Sequence, residues 1–275
     1  MRQRRHAPGH LVWRGAVAAV SDLLMLTGIY PFVPHAGMAW SRWRKERPSP
    51  PGQLRAAVRE WGAAMALSAA RPLGFLPMPG ERTHGPRPIV LVHGYAMNRA
   101  NFVVLARRLA AAGLGPIYGF EYWTLGKTSS AARRLGAYVD EVLAATGAAA
   151  VDVIGHSMGG VVGRYYVTLG AGDGKVANLI TIGSPHSGTD VSAIGVGAPT
   201  KELFLNSTLI QRLDAAPRPR RTRLTVIWSR SDALVPGARH ARIEGVDEVL
   251  YDDLGHLSLL TDRRVAGEVI ARLGR

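Results

Sequence analysis

The sequence predicts an α/β fold, with a mostly parallel sheet covered by helices on both faces. From Pro88 onwards, short apolar runs alternate with runs of helical periodicity, as in buried parallel strands joined by helices. The chain has 275 residues, of which 47% are hydrophobic, so it can bury one substantial core. Within residues 151–160 an apolar run passes through a glycine-rich turn directly into a helical run. The rest of the domain is organised around that turn.

The predicted elements follow one another without an internal repeat. Strands are expected at 89–92, 117–122, 151–154, 176–182, 224–228 and 248–251. Helices are expected from residue 53 to the prolines that begin at Pro72, and at 101–112, 130–146, 161–169 and 261–273. Between 187 and 222 the alternation breaks. That stretch is predicted to be a short cap over the site, with a long crossover as the alternative.

The first 80 residues are predicted to be a helical segment separate from the globular domain at 81–275. Residues 15–33 are largely apolar and follow a basic start, but Asp22 and Pro31 interrupt them. Three interpretations stay open: a membrane anchor, a signal peptide cleaved after Gly37-Met38-Ala39, and a helix packed on the domain. We expect membrane association, at a bacterial inner membrane or after export, and a soluble cytoplasmic protein stays an alternative.

The helix from residue 53 is amphipathic. Leu54, Val58, Trp61 and Met65 recur on one face. The favoured interpretation is that this face packs against the domain, and the alternative is that it lies on a bilayer. Residues 41–52, which contain basic side chains and three prolines, predict a linker or turn region before this helix.

Charge and cysteine content exclude several classes of function. The formal net charge is +14, and residues 1–48 contain eight basic and two acidic side chains. No nucleic-acid-binding module accompanies this charge, so no nucleic-acid partner is predicted, and an anionic membrane surface is the favoured partner of the basic N-terminus. The absence of cysteine excludes disulfides, thiolate metal sites and a cysteine nucleophile.

The glycine-rich turn has the G-x-S-x-G spacing of a nucleophile elbow. Gly155, His156, Ser157 and Gly159 lie between the apolar run and the helix. A strand that turns straight into a helix forces the turn residue into a strained conformation, and residues two positions away must be small. Ser157 is therefore the candidate nucleophile, at the N-terminus of the next helix.

A serine nucleophile needs a base, and the base needs an acid to orient it. Asp232 follows the predicted strand 224–228, and His256 follows the strand 248–251. Ligand-facing loops of an open parallel sheet collect at these carboxyl ends, so both are predicted to reach Ser157. Competing histidines are His93, His156, His186 and His240, and Asp214 is the alternative acid. None of these rivals combines a strand-end setting with the expected chain order.

Three motifs together resemble the α/β-hydrolase superfamily: Gly-His-Ser-Met-Gly-Gly at 155–160, Ser-Asp-x-x-Val-Pro at 231–236 and Gly-His-Leu at 255–257. The segments at 89–95 and 181–189 are similar to those of bacterial triacylglycerol lipases and esterases. The resemblance covers residue 88 to the C-terminus and leaves the first 80 residues without a counterpart. It implies the triad order Ser157, Asp232, His256.

The resemblance also implies an oxyanion hole formed by the backbone N–H groups of Tyr95 and Met158, with His93 and Gly94 in the oxyanion loop. The implied activity is hydrolysis of carboxylic esters, with lipid esters as expected substrates and no cofactor or metal. Related lipases bind calcium near the histidine loop, where Asp252 and Asp253 are candidates, although adjacent acids are more typical of a solvated loop.

Two other functions stay open. The same three residues would serve an acyltransferase or a thioesterase, since only water exclusion separates transfer from hydrolysis. A catalytically inactive membrane scaffold is the alternative outside the enzymes, and the complete set of nucleophile, acid and base disfavours it.

Overall fold

The computed structural model describes residues 50–274. The segment at 15–33, with its anchor, signal-peptide and helix interpretations, lies outside these residues. The described chain forms one six-stranded sheet in which every neighbouring pair is parallel. The strands are β1 (Ile89–Val92), β2 (Ile117–Phe120), β3 (Val151–His156), β4 (Val176–Ile182), β5 (Arg223–Ser229) and β6 (Asp247–Tyr251). Their order is β2-β1-β3-β4-β5-β6, and the predicted α/β architecture with a parallel sheet is confirmed.

Helices cover both faces of the sheet. The described α-helices are α1 (Pro50–Ala70), α2 (Val103–Ala111), α3 (Thr128–Thr146), α4 (Met158–Leu169), α5 (Pro199–Glu202), α6 (Thr208–Ala215), α7 (Ala238–Ala241), α8 (Ser258–Thr261) and α9 (Arg263–Leu273). Short 3₁₀ helices occupy Arg71–Phe75, Arg99–Phe102 and Asp190–Ile194.

The apolar core is divided by the sheet into two layers. Successive side chains of a strand point to opposite faces, and in β1 Ile89 and Leu91 join one layer while Val90 and Val92 join the other. Side chains of α1, α2 and α9 complete the first layer, and those of α3, α4 and α6 complete the second. Because both faces of β1 and β3 are covered, these strands are fully buried.

Helix starts differ by two or three residues from the sequence expectation, and two of the differences have a clear physical reason. Helix α1 begins at Pro50, inside the stretch predicted as a linker, because a proline in the first helical turn has no N–H to leave unpaired. The predicted closing helix is split into α8 and α9. Asp262 ends α8 with an extended backbone, and its side chain caps α9 by accepting a hydrogen bond of 2.7 Å from the Arg264 N–H.

The expected packing face of α1 is wrong. Its apolar stripe, made of Leu54, Val58, Trp61 and Met65, is 48–69% exposed, and the opposite face is buried. That buried face is formed by the small residues Ala56, Ala63 and Ala64 together with Glu60 and Leu67. Alanines let the helix axis approach the domain closely, which is why the face of lower apolar bulk faces inwards. No helix within 50–274 combines the length and the apolar character that crossing a bilayer requires.

Residues 187–222 contain no strand and carry the 3₁₀ helix Asp190–Ile194 with α5 and α6. The segment is held against the domain by Leu203, Leu209 and Leu213, which join the second core layer. Val196 and Phe204 are exposed on it.

Candidate active site

Ser157 lies at the turn between β3 and α4. Its backbone has φ 54° and ψ −128°, a conformation that is strained for a residue with a side chain. Neighbouring main chain holds the turn, since the Ser157 N–H donates to Ile182 O at 2.9 Å and the Ser157 carbonyl accepts from Gly160 N–H at 3.0 Å. The residue is half-buried. This is the backbone geometry expected of a nucleophile elbow.

The glycines around Ser157 are required by contact distance. A Cβ at Gly159 would lie 2.1 Å from the carbonyl oxygen of Val92, and a Cβ at Gly155 would lie 2.5 Å from the Cα of Gly160. Both distances are far below van der Waals contact, and the opposing atoms belong to the backbone. The small residues of the elbow therefore let α4 pack directly against β1 and β3.

Asp232 and His256 are brought together in the protein interior. Asp232 follows β5 and His256 follows β6, and Asp232 Oδ2 lies 2.7 Å from His256 Nδ1. The other carboxylate oxygen, Oδ1, accepts hydrogen bonds from the N–H groups of Leu234 at 2.8 Å and Val235 at 2.9 Å. Both oxygens of the acid are thus occupied, and its orientation is fixed.

The hydrogen bond determines the tautomer of His256. A carboxylate accepts and does not donate, so Nδ1 carries the proton and Nε2 of the neutral ring is a free base. Nε2 is buried and has no hydrogen-bond partner within the described part of the chain. Burial acts to lower the pKa of His256, but the charge and hydrogen bond of Asp232, assisted by Glu60, outweigh it and raise this pKa.

His156 supports the main chain of the histidine loop, residues 254–258. Its Nε2 donates to the His256 carbonyl at 3.0 Å, and the two rings lie 4.6 Å apart between centroids. Burial, followed by the charge of His256, lowers the pKa of His156 well below the ordinary value, so its ring is neutral. Ser229 Oγ donates to Leu254 O at 2.6 Å at the start of the loop.

The expected oxyanion loop follows β1 and lies against the elbow. A Cβ at Gly94 would be 2.8 Å from the Cβ of Ser157, so only glycine permits this approach. His93 orients the loop, because its Nδ1 donates to Gly94 O at 3.0 Å and its own carbonyl accepts from the Tyr122 hydroxyl at 2.7 Å. Its ring stacks on Tyr122, and its Nε2 lies 3.2 Å from Glu121 Oε2.

The side chain of Tyr95 ties this loop to the segment 187–222. Its hydroxyl donates to Val196 O at 2.9 Å and accepts from Val196 N–H at 2.8 Å. Met158, the other expected oxyanion residue, is the first residue of α4 and follows Ser157 directly. Its N–H is the first of that helix, and a helix N-terminus stabilises a negative charge.

The rival residues have other partners. His186 Nε2 is paired with Thr181 Oγ1 at 2.8 Å, and His240 Nδ1 donates to Gly188 O at 2.9 Å. Asp214, the alternative acid, is half-exposed and paired with Arg164 at 2.8 Å. None of the three is hydrogen-bonded to His256 in the described chain.

The two acids considered for calcium do not fit such a site. Asp252 is exposed and paired with Arg230 at 2.7 Å, and Asp253 is paired with Arg59 and with Arg264. Arginine guanidinium groups are paired with both carboxylates, and their positive charge opposes binding of a cation.

Two contributors were missed from the sequence. Glu60 on α1 accepts hydrogen bonds from the backbone beyond His256, and no motif links it to a site 196 residues away. Gly183, at φ 56°, lies behind the acid–base pair, where a Cβ would be 3.1 Å from Asp232 Oδ2 and 3.3 Å from His256 Nδ1. Its position directly after β4, at the carboxyl end of a strand, was the sequence signal that could have placed it near the site.

Comparison with known proteins identifies a family and several relatives of this chain. The profile of the family described as Lipase (class 2) matches residues 86–266. A triacylglycerol lipase of Pseudarthrobacter phenanthrenivorans is 49% identical over 57 residues, which are 21% of this chain and 17% of that relative. The sequence match thus spans less than a fifth of that relative's length.

Solved structures show that the fold is shared. The mature form of the Bacillus licheniformis lipase BlEst2 matches with a TM-score of 0.62 and 16% identity, over 69% of this chain and 94% of that one. Lipase B of Aspergillus fumigatus matches with a TM-score of 0.60 and 16% identity, over 76% of this chain and 57% of that one. The expected resemblance to the α/β-hydrolase superfamily and to bacterial lipases is confirmed. Because the family profile covers most of the chain, this protein belongs to the class 2 lipases.

Proposed function

We propose that the protein hydrolyses carboxylic esters, and lipid esters in particular, through Ser157, His256 and Asp232. Ser157 Oγ attacks the ester carbonyl while His256 Nε2 takes its proton. The same nitrogen then delivers that proton to the leaving alcohol, which leaves an acyl group on Ser157. Water activated by His256 attacks this acyl-enzyme and releases the acid.

The hydrogen bond of 2.7 Å between His256 Nδ1 and Asp232 Oδ2 carries the proposal. It fixes the tautomer that a general base requires, and the ionised partner stabilises the imidazolium formed in the transition state. The positive φ of Ser157 supports the role of nucleophile, because it directs the side chain out of the turn at the start of α4.

We propose that the backbone N–H groups of Tyr95 and Met158 stabilise the oxyanion of the tetrahedral intermediate. The contact between Gly94 and Ser157 supports this assignment, since it brings the loop beside the elbow. Removing one such donor in other enzymes lowers kcat by about 100- to 1,000-fold. A loop shift that moved the Tyr95 N–H away from Ser157 should therefore lower kcat.

Lipid esters are the proposed substrates because the chain belongs to the class 2 lipases. We also propose that the N-terminal region brings the enzyme to a lipid surface. The exposed apolar stripe of α1 supports this, because four large apolar side chains on one helix face are unusual against water. Membrane association at the inner membrane or after export follows from the same proposal.

The test is turnover of p-nitrophenyl esters from acetate to palmitate by the purified full chain, beside Ser157→Ala. Turnover that disappears in the variant supports the mechanism, and retained turnover refutes it. A rise in kcat/KM towards long acyl chains supports lipid esters, whereas turnover of short esters alone contradicts that assignment.

A further inference from the structure

Helix α1 carries an acid that has no place in the proposed triad. Glu60 is 2% exposed, and carboxylates are almost never buried so completely unless their oxygens are bonded. The Leu257 N–H donates to Oε1 at 2.8 Å and to Oε2 at 2.9 Å, and the Ser258 N–H donates to Oε2 at 2.9 Å. Both donors directly follow His256 in the chain. Glu60 therefore binds the main chain that directly follows the proposed base.

The histidine loop is shaped to receive this acid. A Cβ at Gly255 would lie 2.5 Å from Glu60 Oε2 and 2.9 Å from Glu60 Cβ, so no other residue type would let the helix come so close. The residue before Glu60 forms a second link, because Arg59 donates to Asp253 O at 3.2 Å and is ion-paired with the Asp253 side chain. Two adjacent residues of α1, Arg59 and Glu60, thus contact the segment around His256.

We propose that Glu60 is a positioning residue for His256. It holds the loop through the N–H groups of Leu257 and Ser258, and its negative charge stabilises the imidazolium that forms during turnover. The inference rests on the proposed function, since it assigns His256 as the base. Glu60 precedes residues 86–266, the span that matches the lipase family. The N-terminal segment therefore takes part in the catalytic geometry as well as in location.

The charge of Glu60 acts together with the other groups that face His256. These are Asp232 on the loop after β5 and His156 at the end of β3. Asp232 and, to a lesser extent, Glu60 raise the pKa of His256 against the effect of burial. Burial raises the pKa of Glu60 itself, and the Leu257 and Ser258 N–H groups and His256 oppose that rise. The three hydrogen bonds from the Leu257 and Ser258 N–H groups favour the carboxylate form of Glu60 against the effect of burial.

The test compares Glu60→Gln with the wild-type full chain. Glutamine keeps the size but loses the charge and presents an amide NH₂ to a backbone N–H. We expect kcat on p-nitrophenyl butyrate to fall about 10- to 100-fold, as displaced catalytic groups commonly cause, with KM little changed. The acidic limb of kcat/KM should move to lower pH, because the neutral base persists to lower pH once the carboxylate is gone. Glu141→Gln, which alters an exposed acid of α3, is the matched control and should match the wild type.

A second readout does not depend on turnover. The imidazole of His256 is titrated by NMR, with His256→Ala to assign its signal, and its pKa should fall in Glu60→Gln. Glu60→Asp keeps the charge but shortens the reach, so it should lose kcat while the acidic limb stays near the wild type. If Glu60→Gln does not fold, Glu60→Asp tests the proposal alone: a lower kcat with an unchanged acidic limb supports it, and an unchanged kcat contradicts it.

Unchanged kcat, pH profile and imidazole titration in Glu60→Gln would overturn the proposal. A fall in kcat with neither the acidic limb nor the titration moved would also overturn it, because lost packing alone explains that result. If the wild type shows no turnover dependent on Ser157, the proposed function fails, and the NMR titration still decides the role of Glu60.

Discussion

Asp232 holds His256 in a single orientation within the protein interior. The Oδ2–Nδ1 distance is 2.7 Å, and the exposed fractions are 2% for the acid and 1% for the histidine. The second oxygen of Asp232 is bonded to two backbone N–H groups, so rotation of the carboxylate would break two further hydrogen bonds. A buried, fully bonded acid of this kind selects one imidazole tautomer, which makes its removal informative.

Replacing Asp232 with Asn should lower kcat about 1,000- to 10,000-fold while the protein stays folded. An amide of the same shape presents an NH₂ group to the ring or to the two backbone N–H groups, so the favoured tautomer is lost. The measurement is kcat on a short p-nitrophenyl ester, with circular dichroism as the control for folding. A loss below tenfold would contradict the assignment of Asp232 as the acid.

The pH dependence of the wild type should show an acidic limb centred above 6.5, the ordinary value of a histidine pKa. His256 acts as a base only when neutral, and its pKa is raised by Asp232 and Glu60 despite burial, so kcat/KM should fall as the pH drops through that raised pKa. His156 will not produce this limb, because burial lowers its pKa. Initial rates across a pH series at low substrate concentration measure it, and a midpoint below 6.5 would contradict the charge arrangement.

The sheet and the candidate triad could be predicted from the sequence because they depend on local patterns. Buried parallel strands appear as short apolar runs, and the 89–92 and 176–182 runs coincide with β1 and β4. The elbow is recognisable because the glycines that its short contacts require, Gly155 and Gly159, lie two positions from Ser157 in the chain. Strand-end positions then nominate Asp232 and His256, which the fold brings together.

The role of α1 could not be predicted in the same way. An amphipathic pattern shows that a helix has two faces but does not say which face meets the domain. Here Leu54 and Trp61 face outwards, and the inner face is selected by alanines and by the bonds of Glu60. Those bonds join residues 197 and 198 positions apart, and their donors are backbone groups that carry no sequence signature.

Adding a methyl group at Gly159 should prevent the native elbow from forming. The new Cβ of Gly159→Ala would lie 2.1 Å from Val92 O, and the backbone on both sides is buried and cannot move away. We expect a loss of about 3 kcal/mol in the free energy of unfolding, together with loss of activity. Urea denaturation followed by tryptophan fluorescence measures the change.

Gly267→Ala is the matched control for that substitution. Gly267 lies in α9 with no heavy atom within 4 Å of the position of a new Cβ, so alanine should stabilise the helix by about 0.5–1 kcal/mol. Equal stability of the two variants would show that the contact distances at the elbow do not limit the fold.

The exposed stripe of α1 should contribute to binding of lipid vesicles. Val58 is 67% exposed and Trp61 is 48% exposed on the side of α1 that faces away from the domain, so each can be buried in a bilayer surface without unfolding. Burying one large apolar side chain is worth about 1.5–3 kcal/mol, so Val58→Gln or Trp61→Gln in the full chain should weaken partitioning about tenfold. Leu250→Gln, at an exposed position on β6, is the control and should leave partitioning unchanged. Co-sedimentation with phosphatidylcholine vesicles, with and without anionic phosphatidylglycerol, measures the effect while hydrolysis of a short water-soluble ester stays constant. Equal partitioning of the stripe variants and the wild type would show that this face of α1 does not meet the lipid.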